Sequence, residues 1–506
     1  MKYKACLLII VGSIAIACNS TIKDVLLPRS VPEEEGMSSQ QIIKFIDEVE
    51  KVGDEWHSLM ILRHGKVVAE AYWYPHCPQF RQTLHSISKT FTSTAIAFAV
   101  DEGLLTVNDK LSDIFPEYSL DKKTQSDCFY PNSLSLSIKD MLTMSSGQDP
   151  EPLSLLDSAE WLTNFLSYPV KHEPQTKFLY NSVSSFMLSA VLQKVTGMNT
   201  LDYLQKKLFN PLGIKDVDWE VSPEGINCGG FGIRVHTEDM AKLGQFYLQK
   251  GKWEGKQLLS EKWIDEATTA WSSAEMQIQA RMVANLPAEE IAKNAEWIKG
   301  DWAQGYGYQI WRCTHNAFRA DGAFGQFIIV IPELDAVVAI QAALYDMQRE
   351  LNLVWDYLLP AFVSENSLPK NQNAEKSLKE KLTNLKIKEP KSITNYELTI
   401  TDKRIEINND TCFLNIDGYN FIFGKEKWLA QTTTKPYPHI LVHNSLIYRN
   451  FPPFNVFGTY AWKNADTLNC YLKYVENENI DKFVCTFADN SLKIEKQIIT
   501  GNLQKE

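Results

Sequence analysis

The sequence has neither the clusters of basic residues that nucleic-acid-binding proteins need nor the ligand spacing of metal sites. It carries a net charge of -11 over 506 residues and contains no run of basic residues. This argues against a nucleic-acid partner, because phosphate binding needs clustered Lys and Arg. The nine histidines are scattered, without the spacing beside cysteine or carboxylate that metal ligands show. The sequence therefore predicts no metal site, and it contains no internal repeat.

Cysteine is scarce as well, with nine residues in all. When Cys6 and Cys18 are set aside with the leader described below, an odd number remains, so at least one thiol is free. No spacing among them predicts a disulfide framework. Cys470 and Cys485 flank a predicted hairpin, and we expect that they could face each other across it.

Long apolar runs are also missing, apart from Cys6–Ala17 near the start of the chain. This run is too short to cross a bilayer comfortably. Lys2 and Lys4 precede it and small residues end it, which is typical of a signal peptide over residues 1–17. The cysteine that follows resembles a bacterial lipoprotein box. We therefore expect a lipid anchor at Cys18 and a place in the cell envelope, with a soluble periplasmic or secreted protein as the alternative.

The composition is that of a globular protein, with 44% hydrophobic and 22% charged residues, but the chain is too long for one ordinary core. Residues 30–363 combine strand and helix patterns, including a hairpin at His57–Arg63 and Lys66–Tyr74. Residues 364–391 are rich in Asn, Lys, Glu and Ser and predict a linker. Residues 392–506 contain short strand patterns, one of them Leu441–Arg449, separated by Asn, Asp and Gly. They predict a small all-β domain.

One stretch of the first part places a nucleophile beside a base. Ser86 and Lys89 are three residues apart where an apolar, Ala-rich helix pattern begins, so their side chains lie on one face and the amine can reach the hydroxyl. The N-terminus of that helix adds free N–H groups that stabilise negative charge formed after attack. Because three other serines have a lysine at the same spacing, the pattern alone is not specific. The alternative is that Ser86 only caps a buried helix.

Two further motifs lie downstream. Tyr180-Asn181-Ser182 precedes an apolar helix pattern that ends at Gly197. The alternative to a functional role is that Tyr180 is a half-buried structural tyrosine before a helix. Arg319 to Gln326 precedes a strand pattern and contains two glycines.

Together the three motifs resemble those of the serine β-lactamase and penicillin-binding-protein superfamily, in the class-C-like branch that also contains esterases and small amide hydrolases. The resemblance covers roughly Glu33 to Phe362. It implies that Ser86 is the nucleophile, and that Lys89 and Tyr180 share or relay its proton. Ser182 stands where many relatives have asparagine, which keeps a hydrogen-bonding group for substrate binding.

For the third motif the resemblance implies an oxyanion hole and a change in specificity. Gly322 matches the glycine that lets substrate lie against the strand edge, and the N–H of Ala323 would complete the oxyanion hole with that of the nucleophile. Ala320 stands where relatives carry Lys or His, which puts recognition of a substrate carboxylate in doubt. Arg319 points to the opposite face of the strand. Asp321 would repel a carboxylate if it faced the pocket.

Weaker matches complete the resemblance. Leu142–Gly147 corresponds to a family loop that we expect to be structural, and the turn Gly229–Gly232 is expected to shape the pocket wall. Arg234 is expected either to contact substrate or to form a structural salt bridge. Gln326 is a candidate for the site wall. The last domain resembles the lipocalin-like modules that follow such hydrolases, with a sandwich as the alternative.

The resemblance implies an α+β fold, in which an antiparallel sheet is flanked by helices and joined to a mostly helical subdomain, with the all-β domain behind it. The implied activity is that of a cell-envelope serine hydrolase. It would cleave an ester or amide bond of a small substrate through an acyl-serine intermediate, and the chemistry needs no cofactor. One alternative is a β-lactamase or D-Ala-type peptidase that acts on cell-wall-like substrates. A catalytically silent binding protein of the same fold is the alternative from another class.

Overall fold

The structure is a computed structural model that describes residues 26–119, 132–272, 300–392, 402, 404–443, 445–488 and 491–501. The predicted signal peptide and Cys18 lie outside these ranges. The helices are α1 (Ser39–Val52), α2 (Ser88–Asp101), α3 (Leu111–Ile114), α4 (Pro116–Ser119), α5 (Ile138–Leu142), α6 (Trp161–Ser167), α7 (Ser182–Thr196), α8 (Thr200–Leu204), α9 (Asn210–Leu212), α10 (Thr237–Leu248), α11 (Glu261–Ala267), α12 (Met347–Leu353) and α13 (Gln372–Thr383).

The strands of the first part are β1 (Glu55–Arg63), β2 (Lys66–Tyr72), β3 (Gln82–Thr83), β4 (Asp218–Trp219), β5 (Ile233–Val235), β6 (Lys252–Trp253), β7 (Lys256–Gln257), β8 (Trp311–Arg312), β9 (Phe318–Gly322), β10 (Gln326–Ile331) and β11 (Ala336–Ala343). Those of the last part are β12 (Ile405–Asn408), β13 (Thr411–Ile416), β14 (Tyr419–Lys425), β15 (Leu429–Thr433), β16 (Phe454–Asn464), β17 (Thr467–Tyr474), β18 (Asn479–Ala488) and β19 (Ser491–Thr500).

The central sheet is antiparallel and has six strands in the order β2-β1-β11-β10-β9-β8. Its first hairpin turns at His64-Gly65, where both φ angles are positive, as a two-residue hairpin turn requires. Leu59 and Ile61 of β1 pack in the core shared with α1 and α12, whereas Met60 and Leu62 pack in the core shared with α2 and α10. The sheet is therefore buried on both faces.

Between β3 and β4 the regular elements of the described chain are all helices, joined by loops. α2 packs against α7, and α7 also contacts α5 and α6. The ends of these helices match their sequence signals, since Asn181 caps α7 and the left-handed residue Gly197 ends it. The predicted fold class is confirmed: an antiparallel sheet is flanked by helices and joined to a mostly helical subdomain.

The last part, which we call the β-domain (β12–β19), is a single eight-stranded sheet. The predicted strand Leu441–Arg449 is wrong, because its described residues include a short 3-10 helix at Ser445–Tyr448. Ile447 there is buried, and its carbonyl oxygen accepts a hydrogen bond from the N–H of Val221 in the first part. Packing against the other domain thus overrides the local β pattern.

The predicted linker lies against the first domain. Within residues 364–391, α13 packs on α1, and Leu378, Leu385 and Ile387 are buried. The N–H of Tyr74, at the end of the β2 hairpin, donates to the carbonyl oxygen of Leu385. The domain boundaries drawn from composition stay predictions.

The cysteines of the described part are all free, six in number. Cys470 and Cys485 are not directly opposite in the β17–β18 register, which pairs Cys470 with Phe483 and Cys485 with Leu468, but they are diagonal neighbours whose side chains are in hydrogen-bond contact. Within the described ranges, no helix is both long and apolar enough to span a bilayer.

Candidate active site

Ser86 lies in a short 3-10 turn, His85–Ile87, between β3 and the start of α2 at Ser88. Among the described residues, none caps α2 with its side chain. The Ser86 hydroxyl instead accepts a hydrogen bond from Lys89. The alternative in which Ser86 only caps a buried helix is therefore wrong.

Lys89 is buried one helical turn after Ser86. Its Nζ lies 2.9 Å from Ser86 Oγ, 3.2 Å from Ser182 Oγ and 2.7 Å from the carbonyl oxygen of Gly230. Burial disfavours the charged amine and lowers the pKa of Lys89 to about 7, although the charges of nearby carboxylates oppose the shift. When the amine is neutral, it can donate its two N–H groups to Ser182 and Gly230 and accept a hydrogen bond from the Ser86 hydroxyl instead of donating one to it.

The carbonyl beside Lys89 belongs to the glycine turn for which the sequence predicts a pocket wall. A Cβ atom at Gly230 would lie 2.4 Å from the carbonyl oxygen of Ser182. Only glycine lets the turn approach the start of α7 this closely. The turn therefore serves to hold the amine of Lys89.

Ser182 begins α7, buried beside Lys89. Its hydroxyl accepts a hydrogen bond from the amine, and its N–H donates to Glu151 Oε1 at 2.5 Å. Burial raises the pKa of the Glu151 carboxyl, and the Ser182 N–H opposes that shift. Sequence reasoning does not find Glu151, because only the fold brings the loop at Asp149-Pro150 to the start of α7.

Tyr180 stands over the other side of the Ser86–Lys89 pair. Lys89 Nζ is 4.7 Å from the centre of its ring, and the ring stacks on Trp311 at a centroid distance of 5.9 Å. Burial raises the pKa of the phenol well above its ordinary value, while a hydrogen bond with the Ser86 side chain opposes the shift. Tyr180 is thus a protonated donor in contact with the hydroxyl oxygen of Ser86.

The loop at Leu142–Gly147 fixes the backbone of Tyr180. Met144 of this loop accepts hydrogen bonds from the N–H groups of the residues before and after Tyr180.

The third motif reaches Ser86 from the central sheet. A Cβ atom at Gly322 would lie 2.2 Å from the carbonyl oxygen of Leu84, so glycine at the end of β9 permits the contact. Ala323 follows in the turn to β10 and lines the same cavity as Ser86. Gln326 is buried, and its amide donates to the backbone of β11 at 2.7 Å. It braces the turn instead of lining the cavity.

The side chains before Gly322 alternate along β9. Ala320 is buried in the core that also contains Leu84, and Arg319 points to the other face. The guanidinium of Arg319 is fully buried, lies 4.4 Å from the centre of the Trp302 ring and donates to Asp321 at 2.9 Å. Neither residue offers a cation to a substrate carboxylate.

Arg234, the other candidate cation, is fully buried and pairs with Asp218 and with Glu476 of the β-domain. Of the two expectations for Arg234, the structural salt bridge is the correct one.

Ser86 opens into a cavity of about 500 Å³. Its wall is mainly aromatic and acidic, with rings from Tyr180, Trp302, Trp311 and Tyr345 and carboxylates from Asp321 and Asp346. Among the described lining residues, these two carboxylates are the charged ones. Asp321 is ion-paired with Arg319 and Asp346 with Arg349, so the described lining offers no cation of its own to an anionic substrate.

Comparison with known proteins agrees with this geometry. The family model described as Beta-lactamase matches residues 57–350, more than half of the chain and all three motifs. The chain belongs to the Beta-lactamase family. As a member of this family with a serine and a lysine paired at a cavity, the protein is a serine hydrolase.

Two curated relatives of this β-lactamase-family protein are hydrolases. The 6-aminohexanoate-dimer hydrolase of Paenarthrobacter ureafaciens is 23% identical over 301 residues, which cover 56% of this chain and 71% of the relative. Lovastatin esterase of Penicillium rubens is 30% identical over 155 residues, which cover 26% of this chain and 38% of the relative. Among solved structures, a candidate β-lactamase from Bacteroides dorei DSM 17855 is 14% identical with a TM-score of 0.50, over 65% of this chain and 100% of that one. This likeness concerns the fold alone.

One cluster outside the cavity has the composition of a metal site. Ligand atoms of Glu55, His57 and His76, all buried, lie within 4.8 Å of one another. Lys473 Nζ of the β-domain lies 2.5 Å from Glu55 Oε1 and 3.4 Å from His57 Nε2. Burial alone would raise the pKa of Glu55, but the charge of Lys473 lowers it to about 2. The lysine ammonium thus provides the positive charge that a metal ion would bring.

The lowered pKa of Lys89 predicts the pH dependence of activity. Only the neutral amine can accept the Ser86 proton, and Lys89 is increasingly protonated below a pH of about 7. The specificity constant for a p-nitrophenyl ester should therefore fall about tenfold per pH unit below this value and level off above it. The rate of Ser86 labelling by a fluorophosphonate should fall in the same way below this pH. A flat profile over the same range would contradict a neutral lysine as the base.

Proposed function

We propose that this hydrolase cleaves an ester or amide bond of a small substrate without a carboxylate, through an acyl-Ser86 intermediate. The observation that carries the proposal is the contact of 2.9 Å between Lys89 Nζ and Ser86 Oγ, made by an amine whose pKa burial lowers to about 7. Serine is a poor nucleophile at neutral pH and needs such a base within hydrogen-bond reach.

The steps follow from the contacts. Lys89 takes the proton of Ser86 as the oxygen attacks the substrate carbonyl, and the N–H groups of Ser86 and Ala323 stabilise the oxyanion, each by about 3–4 kcal/mol. Tyr180 then passes a proton to the leaving alcohol or amine as its bond to the carbonyl carbon breaks, and it regains one from Lys89. Water attacks the acyl-serine by the same relay in reverse, which releases the acid and restores Ser86.

The cavity supports the choice of substrate. Its rings suit an apolar acyl or leaving group, and its described lining residues include two acids and no cation that would bind an anionic one. The names of the two curated relatives, a 6-aminohexanoate-dimer hydrolase and a lovastatin esterase, agree with amide or ester cleavage.

A β-lactamase or D-Ala-type peptidase is the second candidate, favoured by the family itself. Such enzymes hold a substrate carboxylate, and a cation at the head of the third motif is one way to do so. Here that place holds the buried Ala320. Arg319 lies behind the cavity wall, where it packs on Trp302 and Trp311 and is ion-paired with Asp321, and it is fully buried. A silent binding protein is disfavoured because the serine, amine and phenol are all in contact.

We also propose that the enzyme is a lipoprotein of the cell envelope, anchored at Cys18. The support is the sequence alone, in which Cys18 directly follows the short apolar run that ends at Ala17.

Incubation with a fluorophosphonate probe tests the nucleophile. The wild-type protein should be modified on the peptide that contains Ser86. Ser86→Ala should lose label and reduce turnover by roughly 10³-fold or more. Its free energy of unfolding should change by less than about 0.5 kcal/mol, because only one partly buried hydroxyl is removed. Wild-type turnover in Ser86→Ala would overturn the assignment.

A matched pair of esters tests the substrate class. The specificity constant for p-nitrophenyl hexanoate should exceed that for the p-nitrophenyl monoester of adipate by about tenfold or more, because the second adds a carboxylate to a cavity with two acids. Asp346→Asn, which keeps the cap of α12, should reduce this ratio, whereas Asp356→Asn at an exposed position outside the cavity should leave it unchanged. Faster turnover of the adipate monoester, or of nitrocefin over both esters, would favour the second candidate.

Membrane fractionation tests the anchor. The wild-type protein should incorporate radiolabelled palmitate and sediment with membranes, while Cys18→Ala should do neither, because the acceptor thiol is lost. The next residue, Asn19, has no thiol to acylate, so Asn19→Ala serves as the neighbouring control and should behave like the wild type. Unchanged membrane association of Cys18→Ala would refute the lipoprotein proposal.

A further inference from the structure

The residues just before Ser86 are held from the β-domain. The N–H of Thr83 donates to the carbonyl oxygen of Glu476 at 2.8 Å, and its hydroxyl is hydrogen-bonded to a buried tyrosine of the same domain. One residue before the nucleophile, His85 Nε2 lies 3.0 Å from Glu478 Oε2. The turn that carries Ser86 therefore has side-chain and backbone hydrogen bonds with residues almost four hundred positions away.

The β-domain makes these contacts with a buried hairpin turn. Glu476, Asn477 and Glu478 connect β17 to β18, and each is no more than 3% exposed. Connecting turns usually lie on the surface, and a buried carboxylate persists only where it is paired. Burial raises the pKa of the Glu478 carboxyl, but the charge and hydrogen bond of His85 hold it below its ordinary value. Glu478 is thus an ionised group aimed at His85.

His85 adopts a backbone conformation that needs such support. Its φ is +48°, in the left-handed region that is unfavourable for a residue with a Cβ atom. Its ring packs edge-to-face on Phe324 at 5.3 Å, in the turn that contains Ala323. His85 therefore links the backbone of Ser86 to that of Ala323, the two predicted oxyanion donors.

The hairpin is fixed in place by further buried charges. Lys473, in β17, pairs with Glu55 of the central sheet at 2.5 Å. Glu476 pairs with Arg234, and the distance from Glu476 Oε2 to Arg234 Nη1 is 3.2 Å. The position of Glu478 against His85 is thus set by the docking of the whole domain.

We propose that Glu478 is a positioning residue for the acylation of Ser86, and that the β-domain is thereby an integral part of the active site. Glu478 acts through His85, whose backbone sets the orientation of the Ser86 hydroxyl and N–H. The inference rests on the proposed function, since it concerns the same acyl-serine.

The test measures the rate constant for fluorophosphonate labelling in the full chain, together with kcat and KM for a p-nitrophenyl ester. Relative to wild type, Glu478→Gln should label about tenfold more slowly and Glu478→Ala about 100-fold, because a misplacement on the order of 1 Å costs this much. The loss should appear in kcat with little change in KM. If Glu478 had only a structural role, its substitution would lower the melting temperature without reducing kcat selectively over KM.

Asp481→Asn is the matched control. Asp481 is a buried acid of β18 that pairs with Lys435 and Lys496, both within the β-domain. This variant should lose stability, but its folded molecules should be labelled at the wild-type rate.

His85→Asn removes the other partner of the His85–Glu478 contact, and asparagine tolerates the left-handed backbone conformation. It should slow labelling as well, and the double variant with Glu478→Gln should be no slower than the slower single variant.

The outcomes separate the two proposals. If the wild-type protein is not labelled at Ser86, the proposed function fails. If it is labelled and folded Glu478→Gln reacts at the wild-type rate, the positioning role is wrong. Equal losses in Asp481→Asn, or additive losses in the double variant, would also overturn it.

Discussion

The rest of the active site depends on the burial of the Lys89 amine. A lysine in water is charged and cannot act as a base, whereas in the interior the charged form is disfavoured. The structure offers this amine three oxygen partners and no close carboxylate contact among its described hydrogen bonds. Each partner has a structural origin: a nucleophile in the turn that leads into the helix of Lys89, a hydroxyl at the start of α7, and a carbonyl from a glycine turn. The first domain brings these three elements together around one nitrogen.

The β-domain is docked on the first domain by buried ion pairs, whereas the Lys89 amine is held by uncharged oxygen partners. The contacts of the β-domain with the first domain include fully buried ions, such as Lys473 against Glu55. Buried pairs add little to stability because desolvation offsets their attraction, but an unpaired partner is costly, so they can favour one arrangement over others. Such an interface is suited to fixing a position, and the position it fixes is that of the hairpin beside Ser86.

Much of the fold could be predicted from sequence because its signals are local. The β1–β2 hairpin turns at His64-Gly65, α1 begins after Ser38, and α7 ends at Gly197, each for a reason visible in a few residues. The approach of Lys89 to Ser86 follows from helical spacing. Three features were missed because they depend on distant segments: the contact of Glu151 with Ser182, the contact of Glu478 with His85, and the helical turn at Ser445–Tyr448. None of these has a periodic or spacing signal in the sequence.

The alternation of side chains along a strand explains why the opposite orientations of Arg319 and Ala320 in the third motif could be predicted from sequence. Arg319 and Ala320 are adjacent, so they must face opposite sides of β9. What alternation could not show is the pairing of Arg319 with Asp321, two residues on and on the same side. The cation that might have attracted a carboxylate is therefore occupied by a neighbour on its own strand.

The separation of His85 and Glu478 along the chain, 393 positions, has a consequence for biogenesis. Domains form in order from the N-terminus as a chain is synthesised. The first domain can therefore gather Ser86, Lys89 and Tyr180 while the turn before Ser86 still lacks its partner from β17 and β18. If that partner sets the nucleophile, hydrolytic activity arises only after these late strands have been made and docked. A chain whose last strands are not yet made would then hold its catalytic groups in an inactive arrangement.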